Sequence, residues 1–81
     1  MRLILAGMRG FLFEHTGSDL NSPGGVRRTK IAAIAATRRD AFDLAAEVLP
    51  MVGLRLLDEG PEALQIAEEA GVNDGEARAI A

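Results

Sequence analysis

The sequence predicts a mainly α protein: a small helical domain with a short N-terminal β-hairpin, its helices packing in an oligomer. Three observations carry that prediction. Ile31, Ala35, Phe42, Ala45, Leu49, Val52 and Leu56 step by threes and fours, with Arg38 the one intruder between Ala35 and Phe42, the spacing of one helical face. Glycine and proline stand where helices would start and stop, at Gly24-Gly25, Gly60-Pro61 and Gly71. Hydrophobic residues make up 48 % of 81 residues, enough for one folded domain and too many for a disordered chain.

The elements follow in order. Leu3, Ile4 and Leu5 and then Phe11, Leu12 and Phe13 are two apolar runs around Gly7-Met8-Arg9-Gly10, which suits a short hairpin. An amphipathic helix competes there, weakened by the two glycines. "TGSDLNSPGG", residues 16–25, clusters turn formers and reads as a loop. Residues 1–25 are therefore hairpin and loop, and residues 26–81 are helical. Thr29 starts a helix over 30–36, and Thr37 with Asp40 resembles a capping box at a break or restart. Leu44, Val48 and Met51 add a second apolar stripe beside the first. Pro50 either kinks this helix or opens a new one, and the unbroken register favours a kink. Pro61 suits the first turn of the next helix, with Leu64, Ile66 and Ala67 inward and Gly71 as its stop. Asn73 with Glu76 caps a last helix running to the C-terminus. Residues 66–81 thus have helix-turn-helix spacing.

Composition narrows the function classes. There is no cysteine, hence no disulfide framework, thiolate zinc site or thiol nucleophile, which fits a cytoplasmic protein. Lys30 is the single lysine among nine basic residues and alanine is abundant, usage that fits GC-rich bacterial or phage coding. "MRLILAGMRGFLF" is interrupted by Arg9 and reads as core strands, not a signal peptide. No apolar run approaches the ~20 residues needed to span a bilayer. The net charge of −3 hides a split: residues 1–39 carry seven basic groups against two acids, +5, and residues 40–81 two against ten, −8. Such a layout suits an anionic partner at one end and a basic protein at the other, or the mutual attraction of two ends of one fold.

Enzyme signals are thin, and no catalytic residue, cofactor or metal site is expected. His15 is the only histidine. Glu14 and His15 would point to opposite faces of a strand, which leaves Glu14, His15 and Asp19 a poor metal set beside an ordinary edge histidine. Neither serine, Ser18 or Ser22, sits in a nucleophile elbow. "SPGGVRRTK", residues 22–30, is more informative. Gly24 and Gly25 before a helix start, with Arg27, Arg28, Thr29 and Lys30, and then Arg38 and Arg39, make a candidate nucleic-acid or anion site. It lacks the Gly-Lys-Ser/Thr of a phosphate-binding P-loop. The C-terminal pair is too acidic to read DNA, since Glu68, Glu69, Asp74 and Glu76 face one Arg78. Phe42, Leu49, Val52 and Leu56 form the candidate oligomer interface, because their stripe exceeds what so short a chain covers.

Two stretches resemble known families. "AEVLPMVGLRLLDE", residues 46–59, continued by Ala63-Leu64, resembles the second helix of ribbon-helix-helix antitoxins. Across residues 28–67, "RDAFDLAAEVLPMV", the following Asp-Glu-Gly and "ALQIAEEA" resemble the helical region after the catalytic domain of serine recombinases. The recombinase catalytic domain and its serine are absent, so that resemblance implies no catalysis. Both imply nucleic-acid-associated regulation. The sequence therefore predicts a non-enzymatic, antitoxin-like regulator, its basic N-terminal half toward nucleic acid and its acidic C-terminal half toward a protein. The alternative is an oligomeric structural or assembly module, phage-like, without nucleic acid.

Overall fold

A computed structural model describes residues 7–80, apart from the side chain of Pro23. Leu3, Ile4 and Leu5, the first run of the expected hairpin, lie outside the described residues. Strand β1 (Arg9–Ser18) is followed by β2 (Val26–Ala35), helix α1 (Arg38–Val48), β3 (Leu54–Glu59), α2 (Pro61–Glu69) and β4 (Glu76–Ala79). The four strands form one antiparallel sheet in the order β3-β1-β2-β4. This α+β architecture replaces the expected mainly α one.

β1 alternates as a half-covered strand should. Phe11, Phe13 and His15 are buried, while Leu12 and Glu14 are half-buried on the other face. Its turn into β2 is closed by Asp19, whose carboxylate accepts from the Asn21 N–H at 2.9 Å and the Ser22 hydroxyl at 3.0 Å. Gly24 and Gly25 hold φ of 75° and 72°, left-handed values that suit glycine. The segment expected to begin a helix is therefore the tip of a hairpin.

β2 is the element the sequence disguises. Ile31 to Ala35 are all buried, because both faces of the strand are covered. Ile31, Ala33 and Ala35 pack with Phe11, Phe13 and α1, and Ala32 and Ile34 with α2 and Val72. A strand covered on both sides loses its period-two signal, and "KIAAIAA" then matches a helical stripe equally well. The expected helix over 30–36 is absent for that reason.

α1 begins where the Thr37 hydroxyl accepts from the Asp40 N–H at 3.1 Å, so the expected cap is present. Ala41 and Ala45 are buried against the sheet, and Phe42 meets Phe13 edge-on with ring centroids 4.8 Å apart. The helix ends before Pro50. Leu49 is extended, φ −141° and ψ 152°, because a residue preceding proline is driven out of the α region. Pro50 neither kinks a continuous helix nor starts one, and residues 54–59 form β3 instead.

β3 pairs with the outer edge of β1, and its register shifts between Leu12 and Phe13. The bulge turns Glu59 to the α1 side of the sheet, where it receives Arg38 from α1 and Arg9 from β1. α2 crosses the opposite face, with Ala63 and Ala67 buried, and Gly71 stops it as expected. Asn73 and Glu76 are bonded to each other, the Asn73 N–H to the Glu76 carboxylate at 3.0 Å and the Glu76 N–H to the Asn73 carbonyl at 3.1 Å. They close a turn into β4 and do not cap a helix. Residues 66–79 are therefore helix, turn and strand, and the expected helix-turn-helix is absent among the described residues.

The oligomer stripe dissolves with the long helix. Phe42, Leu49 and Leu56 pack on the chain's own core, whereas Val52 is 86 % exposed in the α1–β3 turn. No helix among the described residues is long and apolar enough to cross a membrane.

Candidate functional site

The long β1–β2 hairpin positions the functional side chains. β3 pairs with β1 only over residues 11–15 and β4 with β2 only over 31–34, so the hairpin runs on beyond both neighbours to its tip. The nine residues of α2 cover only the Gly10–Ile34 end of their face. The remainder of that face is open.

Strand alternation divides the predicted anion site between the two faces of the sheet. Arg28 and Lys30 stand on the open α2 face, opposite Thr16 and Glu14 across the hairpin. Arg27 and Thr29 stand on the α1 face, opposite Gly17 and His15. Gly24 and Gly25 belong to the tip. Arg38 is at the far end of the molecule, where its guanidinium fastens the start of α1 to Glu59 on the end of β3. Its neighbour Arg39 is exposed there. The eight residues are therefore not one site.

On the open face the structure adds Arg55, which β3 brings beside Glu14 at 3.2 Å. Glu14, Thr16, Arg28 and Arg55 line an open depression of about 690 Å³, floored by Gly53 and Leu54. The Arg55 side chain is 71 % exposed. Glu14, 20 % exposed, holds its end of the pair, and the exposed guanidinium of Arg55 keeps N–H groups turned to solvent. The strand pattern Leu54-Arg55-Leu56 carried this signal, but it was masked by a helical reading of the same residues. Arg78, on β4, donates instead to the Ala70 carbonyl at 3.3 Å.

The α1 face holds a second recess beneath the last turn of the helix. His15, Gly17, Arg27, Thr29, Val48 and Leu49 line a cavity of about 420 Å³ there. His15 is 8 % exposed and its Nε2 is buried without a hydrogen-bond partner. Such an orphan is uncommon, because a buried polar atom without a partner costs about 1–3 kcal/mol. Glu14 and His15 face opposite sides, as their strand positions require. Among the described residues no group of three or more His, Asp and Glu side chains is placed to hold a metal ion.

At the tip, Asp19 titrates below its ordinary value. The Asn21 N–H bond is the largest cause, then the Ser22 hydroxyl, with the nearby Arg27 charge adding to them. Comparison with protein-family models, curated proteins and solved structures finds no match to this chain.

Proposed function

We propose that the chain is a non-enzymatic, cytoplasmic regulatory protein, antitoxin-like in joining a nucleic-acid face to a protein-binding face. One observation carries this reading: Arg28, Lys30 and Arg55 meet on an uncovered sheet face, from strands on either side of β1. Three exposed cations on one rigid face suit phosphate contacts, which fix position without reading bases. Glu14 shares this face, paired with Arg55, and most other acids lie elsewhere. Asp40, Asp43 and Glu47 are exposed on α1, and Glu62, Glu68 and Glu69 on α2, surfaces that suit a basic protein partner.

Retention on duplex DNA tests the reading. Three phosphate contacts give a slope of log affinity against log salt of about −2.7. Replacing Arg28 and Lys30 with alanine should reduce the slope to about −0.9. Arg27→Ala should leave it unchanged, because Arg27 stands on the other face. A wild-type protein that passes through the column at low salt overturns the proposal. That result would favour an assembly module, a reading supported by the exposed apolar Leu20 and Val52 at 98 % and 86 %.

A further inference from the structure

We infer that the recess beneath the C-terminal turn of α1 binds a small oxyanion, carboxylate or phosphate, between Arg27 and the imidazole of His15. It lies on the sheet face opposite Arg28, Lys30 and Arg55, so its failure and that of the nucleic-acid reading are separable.

Four features converge there. The volume, about 420 Å³, falls within the ~300–1,000 Å³ of small-ligand sites. Arg27 is exposed at the rim and offers a guanidinium fork matched to an oxyanion. Its nearest influence is on Asp19, whose carboxylate is already engaged by Asn21 and Ser22. Val48 and Leu49 supply an apolar wall, and Thr29 a hydroxyl.

The fourth feature is His15 itself, more than nine-tenths buried beside this recess. Its Cε1–Nδ1 edge faces Gly17. A Cβ placed at Gly17 would come within 3.3 Å of His15 Cε1 and 3.7 Å of Nδ1. The missing side chain therefore keeps the Cε1–Nδ1 edge of the ring uncrowded on this side. Neutral imidazole has one N–H and one lone pair. An oxyanion at the Gly17 edge accepts from Nδ1–H, which leaves the Nε2 lone pair in the apolar interior. Ligand binding should thus select the Nδ1–H tautomer. The carbonyl end of α1 is electronegative and opposes an anion, so the attraction must come from Arg27, and a singly charged anion meets less repulsion than a doubly charged one.

The test is a nitrogen-15 titration of the whole chain with sodium acetate and, separately, inorganic phosphate, at constant ionic strength made up with chloride. Expected are saturable shifts of the Gly17 and Thr29 amides and an imidazole shift toward the Nδ1–H form. Tighter binding of acetate than of phosphate identifies a carboxylate ligand, and the reverse a phosphate. Arg27→Ala should weaken binding by about tenfold, equivalent to about 1.4 kcal/mol. Gly17→Ala, which crowds the ring edge, should weaken it while the amide spectrum elsewhere stays folded. Absence of saturable shifts with both ions overturns the inference. So does an unchanged affinity in Arg27→Ala, or a response confined to Thr16, Arg28 and Arg55.

Discussion

Gly10 owes its importance to what it lacks. A Cβ built there would sit 2.0 Å from the Leu64 backbone nitrogen, so α2 lies on the sheet only because this residue has no side chain. Gly10→Ala should destabilise the protein by about 3 kcal/mol, the upper range for overpacking. Urea denaturation measures it, and a loss below half that value would mean that α2 moves away freely. Asp19 acts at the same scale through charge. Folding holds its carboxyl below the ordinary 3.8, so its contribution is complete above that value and disappears as pH falls through the depressed one. The hairpin tip should therefore loosen first in acid. Protection of the Ser22 and Gly25 amides, taken as exchange relative to the intrinsic rate at each pH, should fall as pH drops below the ordinary carboxylate range, and Asp19→Ala should remove that fall. Both residues were visible in the sequence as turn formers, and Asp19 bonds near neighbours, Asn21 and Ser22, but the partner of Gly10, Leu64, belongs to the folded geometry.

Among the elements, the helices were partly legible and most strands were not. Thr37 and Asp40 announced the start of α1, Pro61 the start of α2 and Gly71 its end, because caps and stops are local chemistry. Thr37→Ala should cost about 1 kcal/mol, seen as a lowered midpoint in thermal unfolding followed by circular dichroism. An unchanged midpoint would mean that packing of Ala41 and Ala45 alone holds the first turn. β2 failed as a prediction because two covers erase alternation, and β3 because Leu49, Val52 and Leu56 extended a helical register that Pro50 had already ended. Asn73 and Glu76 were expected to cap a last helix, and a strand follows them instead. The two are bonded to each other, but the Glu76 N–H goes to the Asn73 carbonyl and not to its side chain, which makes a turn and no N-cap. The Ile34 carbonyl accepts from the Gly75 N–H at 2.8 Å and draws the turn onto β2.

Across the whole molecule, the described residues extend 42 Å by 23 Å by 17 Å, a long shape that follows the hairpin. Leu20 at its tip and Val52 in the α1–β3 turn leave apolar surface uncovered, and burial of such surface stabilises an associated state by roughly 25 cal/mol per Å². We propose self-association on this basis, through these residues and not through the helical stripe. Sedimentation at high micromolar concentration should show a dimer or larger species, and the pair Leu20→Ser and Val52→Ser should reduce it to a monomer without lowering the melting temperature. A wild-type monomer at that concentration would refute the proposal. The candidate site was legible as a list of cations but not as a surface. Arg27 and Arg28 are adjacent in sequence and lie on opposite faces. Arg28 and Arg55 are distant in sequence and share one.

By itself, the sequence determined the charge split between the halves of the chain, the cap of α1, the bounds of α2 and the turn chemistry at residues 19–25. These depend on composition or on neighbours within a few positions. Only the tertiary structure decided that 26–35, 54–59 and 76–79 are strands, which face each arginine takes, and that His15 is buried beside a recess. A strand's hydrogen bonds go to another part of the chain, so both its existence and the direction of its side chains are settled by a partner that local spacing cannot name.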